Sequence, residues 1–253
     1  MRKYIKFNFL RELLLQRYKT GRHRTPFWRF RWWAKHGWDI ILDCLYGVDT
    51  GPGISGEKLG SNDGNHGSYA YDPAPWWTLS RSLRLAQLRA EHFSFVDIGC
   101  GKGRVLLSAL AFPFTRVVGV ELSPELHKIA KQNIASARFI TRRCSSVQMI
   151  CGDATAFTIP EGPNIIFFYN PFPLDIMESV LGNVVQGYSG ASCPIYLIFY
   201  GCSAIIEGIN GFLSLNTDGH ALRVVSTTVG HRTVNIFELS PCPTSDNYSS
   251  MSG

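Results

Sequence analysis

The sequence predicts an α/β protein with a doubly wound, mostly parallel seven-stranded sheet that ends in a C-terminal antiparallel hairpin strand. Two observations support this prediction. From about residue 76 onward, short apolar runs alternate with segments of helical periodicity, which is typical of parallel strands joined by crossover helices on both faces. The last two apolar runs flank only a short turn at Gly230-His231, so they are expected to pair antiparallel.

Seven apolar runs have the length and composition of strands: Phe93–Ile98, Arg116–Leu122, Val147–Cys151, Ile165–Tyr169, Ile195–Tyr200, Leu222–Thr228 and Thr233–Leu239. Helices are expected at Val105–Ala111, after Ser123 and at Leu174–Val185. Ser123 is a good N-cap because its hydroxyl can accept a backbone N–H, and Pro124 suits the first helical turn. These local signals set the order of the predicted elements.

The N-terminal residues 1–40 form a basic, aromatic extension with 11 basic and 2 acidic residues, whereas the rest of the chain has 14 basic and 17 acidic residues. Four of the six tryptophans lie there, and apolar residues every four positions from Ile5 to Leu13 predict a helix. Such a segment can bind an anionic partner, either RNA or a membrane surface. The alternative is that its aromatic residues pack on the protein's own core.

The remaining domain boundaries follow from composition. Residues 41–75 are rich in Gly, Asp, Asn and Pro and predict a loop, so residues 41–90 are interpreted as a lid with a leading helix. Tyr69 and Tyr71 in this lid are candidates for packing on a cofactor or gating a substrate, or else they are buried rings of a turn. Residues 91–240 form the core, and residues 241–253 a flexible polar tail.

Composition also bears on location and metals. The seven cysteines are scattered without a CxxC pair and the histidines lack ligand spacing, which favours reduced thiols and no metal site. No apolar run reaches the roughly 18 residues that a membrane span needs. Arg11 and Glu12 interrupt the apolar start, so export is not expected. The predicted location is cytoplasmic, with attachment to a membrane surface left open.

A glycine-rich loop directly after the first strand carries the clearest chemical signal. It reads Asp97-Ile-Gly99-Cys-Gly101-Lys-Gly103 and leads into a helix, so backbone can approach a ligand closely there. Eighteen residues later, Glu121 ends the second strand, where a carboxylate can accept both hydroxyls of a ribose. Arg104 takes the place of the third glycine of a dinucleotide fingerprint, and an acidic residue at 97 suits an amino group better than a pyrophosphate. Arg104 itself can meet a carboxylate or cap the site, or it can simply pair with Glu121 or Asp97.

This loop, with Gly119-Val-Glu121 after it, resembles the cofactor loop of the seven-stranded, class I (Rossmann-like) S-adenosylmethionine-dependent methyltransferases. The resemblance covers about residues 90–240. Gly152-Asp153-Ala154 follows the third strand, where the family places an acidic residue on the adenine. Asn170-Pro171-Phe172 follows the fourth strand and is similar to the (Asn/Asp)-Pro-Pro-(Tyr/Phe) signature of methyltransferases that act on planar nitrogens.

The resemblance implies S-adenosyl-L-methionine as the cofactor and a role for each matched residue. Asp97 is expected to hold the α-amino group, and Glu121 the ribose hydroxyls. The methionine portion is expected to lie beside the loop glycines Gly99, Gly101 and Gly103. The adenine is expected to contact Asp153 and the backbone N–H of Ala154. The Asn170 side chain and the Pro171 carbonyl are expected to accept hydrogen bonds from the substrate nitrogen, while the Phe172 ring stacks on the substrate.

The chain departs from this signature because the second proline is missing and Pro173 follows Phe172. The favoured acceptor is therefore a nitrogen on a protein side chain. The alternative is an RNA or DNA base, bound with the help of the basic N-terminal arm. A second alternative is a non-catalytic binding or tethering protein, against which the intact glycine loop and acidic positions argue. Asn170-Pro171 can also be simply a turn before a helix.

Overall fold

The fold is given by a computed structural model that describes residues 37–51, 71–169, 172–188, 193–201, 203–217, 220–229 and 232–241. Residues 1–36, which hold most of the predicted N-terminal extension, lie outside the described residues, as does the predicted tail beyond residue 241. No helix in the described ranges is long and apolar enough to cross a membrane.

A seven-stranded sheet forms the centre of the molecule. Its strands are β1 (Ser94–Ile98), β2 (Arg116–Glu121), β3 (Val147–Cys151), β4 (Asn164–Tyr169), β5 (Ile195–Gly201), β6 (His220–Val229) and β7 (Arg232–Pro241). They lie side by side in the order β3-β2-β1-β4-β5-β7-β6. Strands β1 to β5 pair in parallel, and β7 runs antiparallel to both β5 and β6. The predicted mostly parallel sheet with a C-terminal antiparallel strand is confirmed.

Six helices accompany the sheet in the described residues. They are α1 (residues 37–46), α2 (Thr78–Leu85), α3 (Arg104–Leu110), α4 (Pro124–Ser136), α5 (Leu174–Tyr188) and α6 (Ser203–Asn216). Ser123 caps α4 as predicted, since its hydroxyl accepts the N–H of Leu126 at 3.3 Å. Two features differ from the prediction: residues 41–46 are helical rather than loop, and α6 was not foreseen. Helix α6 has no acidic residue in its first turn and no basic residue in its last, so it lacks local boundary signals.

Hydrophobic residues bury both faces of the sheet. Within β1, Phe95 packs on one face while Val96 and Ile98 pack on the other, as strand periodicity requires. Helices α2 and α3 cover the Phe95 face, and α5 and α6 cover the opposite face. Because β1, β2 and β4 are parallel neighbours, their carboxyl ends meet at one edge of the sheet, where open α/β sheets bind ligands.

Candidate active site

The glycine loop between β1 and α3 is held in a conformation that favours glycine. Gly99, Gly101 and Gly103 have φ angles of 74°, 55° and 81°, in the left-handed region. A Cβ atom on Gly101 would lie only 2.2 Å from a ring carbon of Tyr71, so the ring rests directly on the loop backbone. The glycines therefore permit both the turn and the close approach of the Tyr71 ring. The approach of a ligand to this loop stays a prediction.

Glu121 at the end of β2 is locked onto this loop. Its Oε2 accepts the N–H of Gly101 at 2.8 Å, and its Oε1 accepts the N–H of Ser123 at 2.9 Å. Burial raises the pKa of Glu121, and these two N–H groups act in the opposite direction. A carboxylate has about four acceptor sites, so each oxygen retains a lone pair for a ligand hydroxyl. This geometry suits the predicted ribose contact.

Asp97 is the buried carboxyl beside the loop. Its side chain is 3% exposed, and its buried Oδ2 has no hydrogen-bond partner among the described residues. Burial raises the pKa of Asp97 well above the usual range, and the neighbouring Glu121 raises it further. A buried polar atom without a partner is unfavourable, whereas an ammonium group placed there would satisfy both its hydrogen bonding and its charge. The site therefore fits a cationic amino group.

Asp153 and Ala154 follow β3 at the same edge of the sheet. Asp153 is exposed, and its Oδ1 accepts the N–H of Thr155 at 2.8 Å, which begins a short 3₁₀ turn at Ala154–Ala156. Ala154 is buried. The N–H of Gly152 donates to the backbone carbonyl of Glu121 at 3.0 Å, so the predicted adenine and ribose positions lie side by side.

Residues 95–183 match the family model described as a methyltransferase domain. This match covers about a third of the chain and includes the glycine loop, Glu121 and Asp153. Similarity to a methyltransferase domain implies S-adenosylmethionine as the cofactor and a methyl acceptor as the substrate, and it leaves the type of acceptor open.

Several solved structures are similar to this chain. Magnesium protoporphyrin IX methyltransferase from Synechocystis PCC 6803, with bound S-adenosylmethionine, is 13% identical with a TM-score of 0.49, over 65% of this chain and 79% of that one. A ribosomal protein methylase from Lactobacillus delbrueckii subsp. bulgaricus is 14% identical with a TM-score of 0.47, over 63% and 76%. An RNA methyltransferase from Salinibacter ruber in complex with S-adenosyl-L-homocysteine is 19% identical with a TM-score of 0.46, over 67% and 94%. No curated protein sequence is significantly similar to the chain.

The structure describes only part of the predicted site for the methyl acceptor, Asn170-Pro171-Phe172. Asn170 and Pro171 lie outside the described residues, directly after the end of β4 at Tyr169. Phe172 is half-buried and lines a pocket whose described walls carry no charged side chain. The pocket residues are Phe172, Met177, Phe199, Tyr200, Gly201, Ile205, Ile206 and Ile209. The pocket has room for only about one water molecule, so these residues form an apolar surface beside the sheet edge and not a cavity for a substrate.

Of the two predicted lid tyrosines, Tyr69 lies outside the described residues and Tyr71 packs on the glycine loop. The Tyr71 hydroxyl donates to the carbonyl of Thr50 at 2.9 Å, and the Lys102 ammonium lies 5.6 Å from its ring centre. Burial raises the pKa of Tyr71. Tyr71 therefore covers the loop that the cofactor's methionine portion is expected to approach.

Arg104 connects helix α1 to the start of α3, directly after the glycine loop. It does not pair with Asp97 or Glu121, the partners that the sequence suggested by name. It is 2% exposed, and its guanidinium lies 2.9 Å from Asp39 Oδ2 and 3.6 Å from Asp43 Oδ1. Its Nε also donates to the hydroxyl of Thr50 at 2.7 Å, and its Nη1 to the carbonyl of Ala74 at 3.1 Å. Arg104 therefore holds α1, Thr50 and Ala74 against α3. In the sequence, the i, i+4 spacing of Asp39 and Asp43 is the signal that could have indicated two carboxylates on one helical face.

Lys102 and Asn133 add a second attachment that the sequence did not reveal. Lys102 is 3% exposed, and its ammonium donates to the carboxylate of Asp49 at 3.2 Å and to the carbonyl of Gly51 at 3.0 Å. Asn133 on α4 donates to the carbonyls of both Asp49 and Lys102, each at 2.9 Å. Residues 49–51 thus lie against the cofactor loop. In the described part of the chain, no cluster of His, Cys, Asp and Glu is arranged to hold a metal ion.

Proposed function

We propose that this protein is an S-adenosylmethionine-dependent methyltransferase and that it transfers the methyl group to a nitrogen atom on a protein side chain. The observation that supports this acceptor is the position of Asn170-Pro171-Phe172, which directly follows β4 at the edge that also holds Asp97 and Glu121. The amide oxygen of Asn170 and the carbonyl of Pro171 are the proposed acceptors of the substrate N–H groups. They would orient the nitrogen lone pair toward the methyl group.

Phe172 and the apolar residues around it support a side chain with an apolar stem. Lysine and glutamine both place a nitrogen at the end of methylene groups, and the Phe172 ring would offer those methylenes an apolar contact. The missing second proline moves the aromatic ring one position earlier than in the signature for planar nitrogens. A protein side chain is therefore favoured over a nucleobase.

In the proposed cofactor arrangement, Asp97 holds the α-amino group and Glu121 the ribose hydroxyls. Asp153 and the backbone N–H of Ala154 are assigned to the adenine, and the three loop glycines to the methionine portion. The bound cofactor supplies an electrophilic methyl group on a sulfonium. The protein's contribution is then to align the acceptor nitrogen and to exclude water, which Tyr71 and the apolar pocket favour.

The acceptor is tested by methyl transfer from labelled S-adenosylmethionine into cell extract, followed by digestion with protease or nuclease. Label that protease releases supports the proposal. Asn170→Ala is expected to abolish transfer while S-adenosylhomocysteine binding is retained, because Asn170 acts on the acceptor. Asn210→Ala is a matched control, since Asn210 is exposed on α6. Equal activity in Asn170→Ala and Asn210→Ala would refute the assignment of Asn170.

An RNA or DNA base is the second candidate acceptor, and the charge of residues 1–40, with 11 basic and 2 acidic residues, favours it. Nuclease-sensitive label would establish this candidate in place of a protein side chain. Removal of residues 1–36 should then reduce RNA affinity, most strongly at low salt, without changing S-adenosylhomocysteine binding. RNA affinity that is unchanged by this deletion would contradict a nucleic-acid arm.

A further inference from the structure

Helix α1 presents an apolar stripe to solvent. Trp38 is 74% exposed, and Ile41 and Leu45 are each 53% exposed. Their spacing of three and four residues places them on one face of the helix. Isolated exposed apolar residues are ordinary, but three large ones along one helical face form a continuous surface.

The other side of α1 fixes the direction of this stripe. Ile40 is 3% exposed and Asp43 is 1% exposed, so both face the domain. Asp43 accepts the N–H of Thr50 at 2.9 Å and its hydroxyl hydrogen bond at 2.6 Å, and the Arg104 guanidinium lies beside it. Rotating the stripe inward would break this buried network. The apolar side of α1 therefore remains directed outward.

An exposed basic residue, Arg138, borders the C-terminal end of α1. The N–H of Arg138 donates to the carbonyl of Tyr46 at 2.8 Å, which places the segment after α4 against the end of the helix. Phe139 follows, 80% exposed and with φ of 59°, an unusual value for a bulky residue. Arg138, Arg142 and Arg143 are all exposed. Asp39, the acidic residue of α1 nearest the stripe in sequence, is 14% exposed and paired with Arg104.

We infer that this docking face, composed of Trp38, Ile41, Leu45 and Phe139 with the bordering Arg138, binds an anionic lipid surface. Tryptophan and aliphatic side chains insert at headgroup depth, while arginines meet lipid phosphates. The aliphatic residues decide between lipid and RNA. Ile41 and Leu45 have no ring that could stack on a base, yet both gain from leaving water in a bilayer interface.

The chain directly before α1 continues the same composition. Residues 1–36 include Trp28, Trp32 and Trp33 and most of the basic residues of the extension. Basic charge near a headgroup surface adds to the apolar contribution, so the two parts of the chain favour the same partner. This inference concerns the α1 face and is independent of the proposed acceptor.

The test is co-sedimentation of the full chain with two kinds of vesicle: phosphatidylcholine alone, and phosphatidylcholine mixed with phosphatidylglycerol. Binding is expected to the mixed vesicles and to weaken at high salt. The double variant Trp38→Ser, Ile41→Ser is expected to bind roughly tenfold more weakly, since two exposed apolar side chains are lost. Leu215→Ser is the matched control: Leu215 is 80% exposed near the end of α6 and should bind like the unaltered chain.

Unaltered vesicle binding by the double variant would overturn the inference, and so would equal binding to both vesicle types. Fluorescence polarisation with a labelled RNA gives the other partner class. If the double variant loses RNA affinity but keeps vesicle binding, the face binds nucleic acid and the inference is wrong. Thermal unfolding and S-adenosylhomocysteine binding should be the same in all variants. A negative vesicle result would therefore leave the proposed acceptor untouched.

Discussion

Replacing Arg104 by methionine is expected to loosen the lid and to destabilise the whole domain. The guanidinium is 2% exposed and is the partner of Asp43, which is itself 1% exposed. Methionine fills a similar length but leaves the buried carboxyl without its cation. Removing one partner of a buried ion pair typically costs about 3–5 kcal/mol. That estimate makes Arg104→Met one of the most damaging substitutions outside the apolar core.

For a domain of this size, each kcal/mol lowers the melting temperature by about 2–4 °C, so the expected decrease is roughly 6–20 °C. Circular dichroism during heating measures it directly. The matched control is Arg89→Met, because Arg89 also forms an ion pair, with Glu91 at 2.6 Å, but its side chain is 77% exposed. Exposed pairs contribute little, so no measurable shift is expected for this control.

A companion variant separates the buried charge from lost packing. Adding Asp43→Asn to Arg104→Met removes the carboxylate that has lost the Arg104 cation and should recover part of the lost melting temperature. S-adenosylhomocysteine affinity should fall in Arg104→Met, because Thr50 and Ala74 would no longer be attached to α3 beside the loop. A melting temperature within about 2 °C of the unaltered protein would refute the reasoning, since that shift corresponds to at most about 1 kcal/mol.

Four further predictions concern the cofactor loop. Asp97→Asn should weaken S-adenosylhomocysteine binding about 10–150-fold in calorimetry, the value of a hydrogen bond to a charged group, and an unchanged affinity would exclude an amino-group contact. Burial raises the pKa of Asp97, so protonation of this carboxyl stabilises the ligand-free protein. The free energy of unfolding should therefore fall as pH rises from the usual carboxyl range through the raised pKa. Urea titrations at several pH values measure this dependence, and Asp97→Asn should remove it. An ammonium ligand favours the ionised carboxylate of Asp97, so ligand binding should release a proton. The binding enthalpy should then differ between buffers of different ionisation enthalpy, and equal enthalpies would contradict this prediction. Gly101→Ala should destabilise the fold by about 1–2 kcal/mol from its positive φ alone, and by more through collision with the Tyr71 ring, whereas Gly211→Ala, with open space around it, should not.

The sequence by itself determined the features that depend on neighbouring residues. The strand Val147–Cys151 has the predicted bounds, and Ser123 caps α4 as expected, because apolar runs and capping groups act within a few residues. The glycine loop was equally legible, since positive φ angles and a β-strand before a helix are local requirements. With Glu121 at the next strand end, these local patterns carry the resemblance that implies a methyltransferase fold and its cofactor.

Only the tertiary structure decided which distant side chains meet. The sequence left several roles open for Arg104, and the only partners it suggested by name were Asp97, near it in sequence, and Glu121, at the adjacent strand end. Arg104 instead bonds Thr50, 54 residues away, and the aspartates of α1. A long side chain takes whatever partners the packing of helices brings within reach, and no local pattern encodes that packing. Local patterns also did not reveal that Asp97 Oδ2 is buried with no hydrogen-bond partner among the described residues. Nor did they reveal that the apolar stripe of α1 faces solvent.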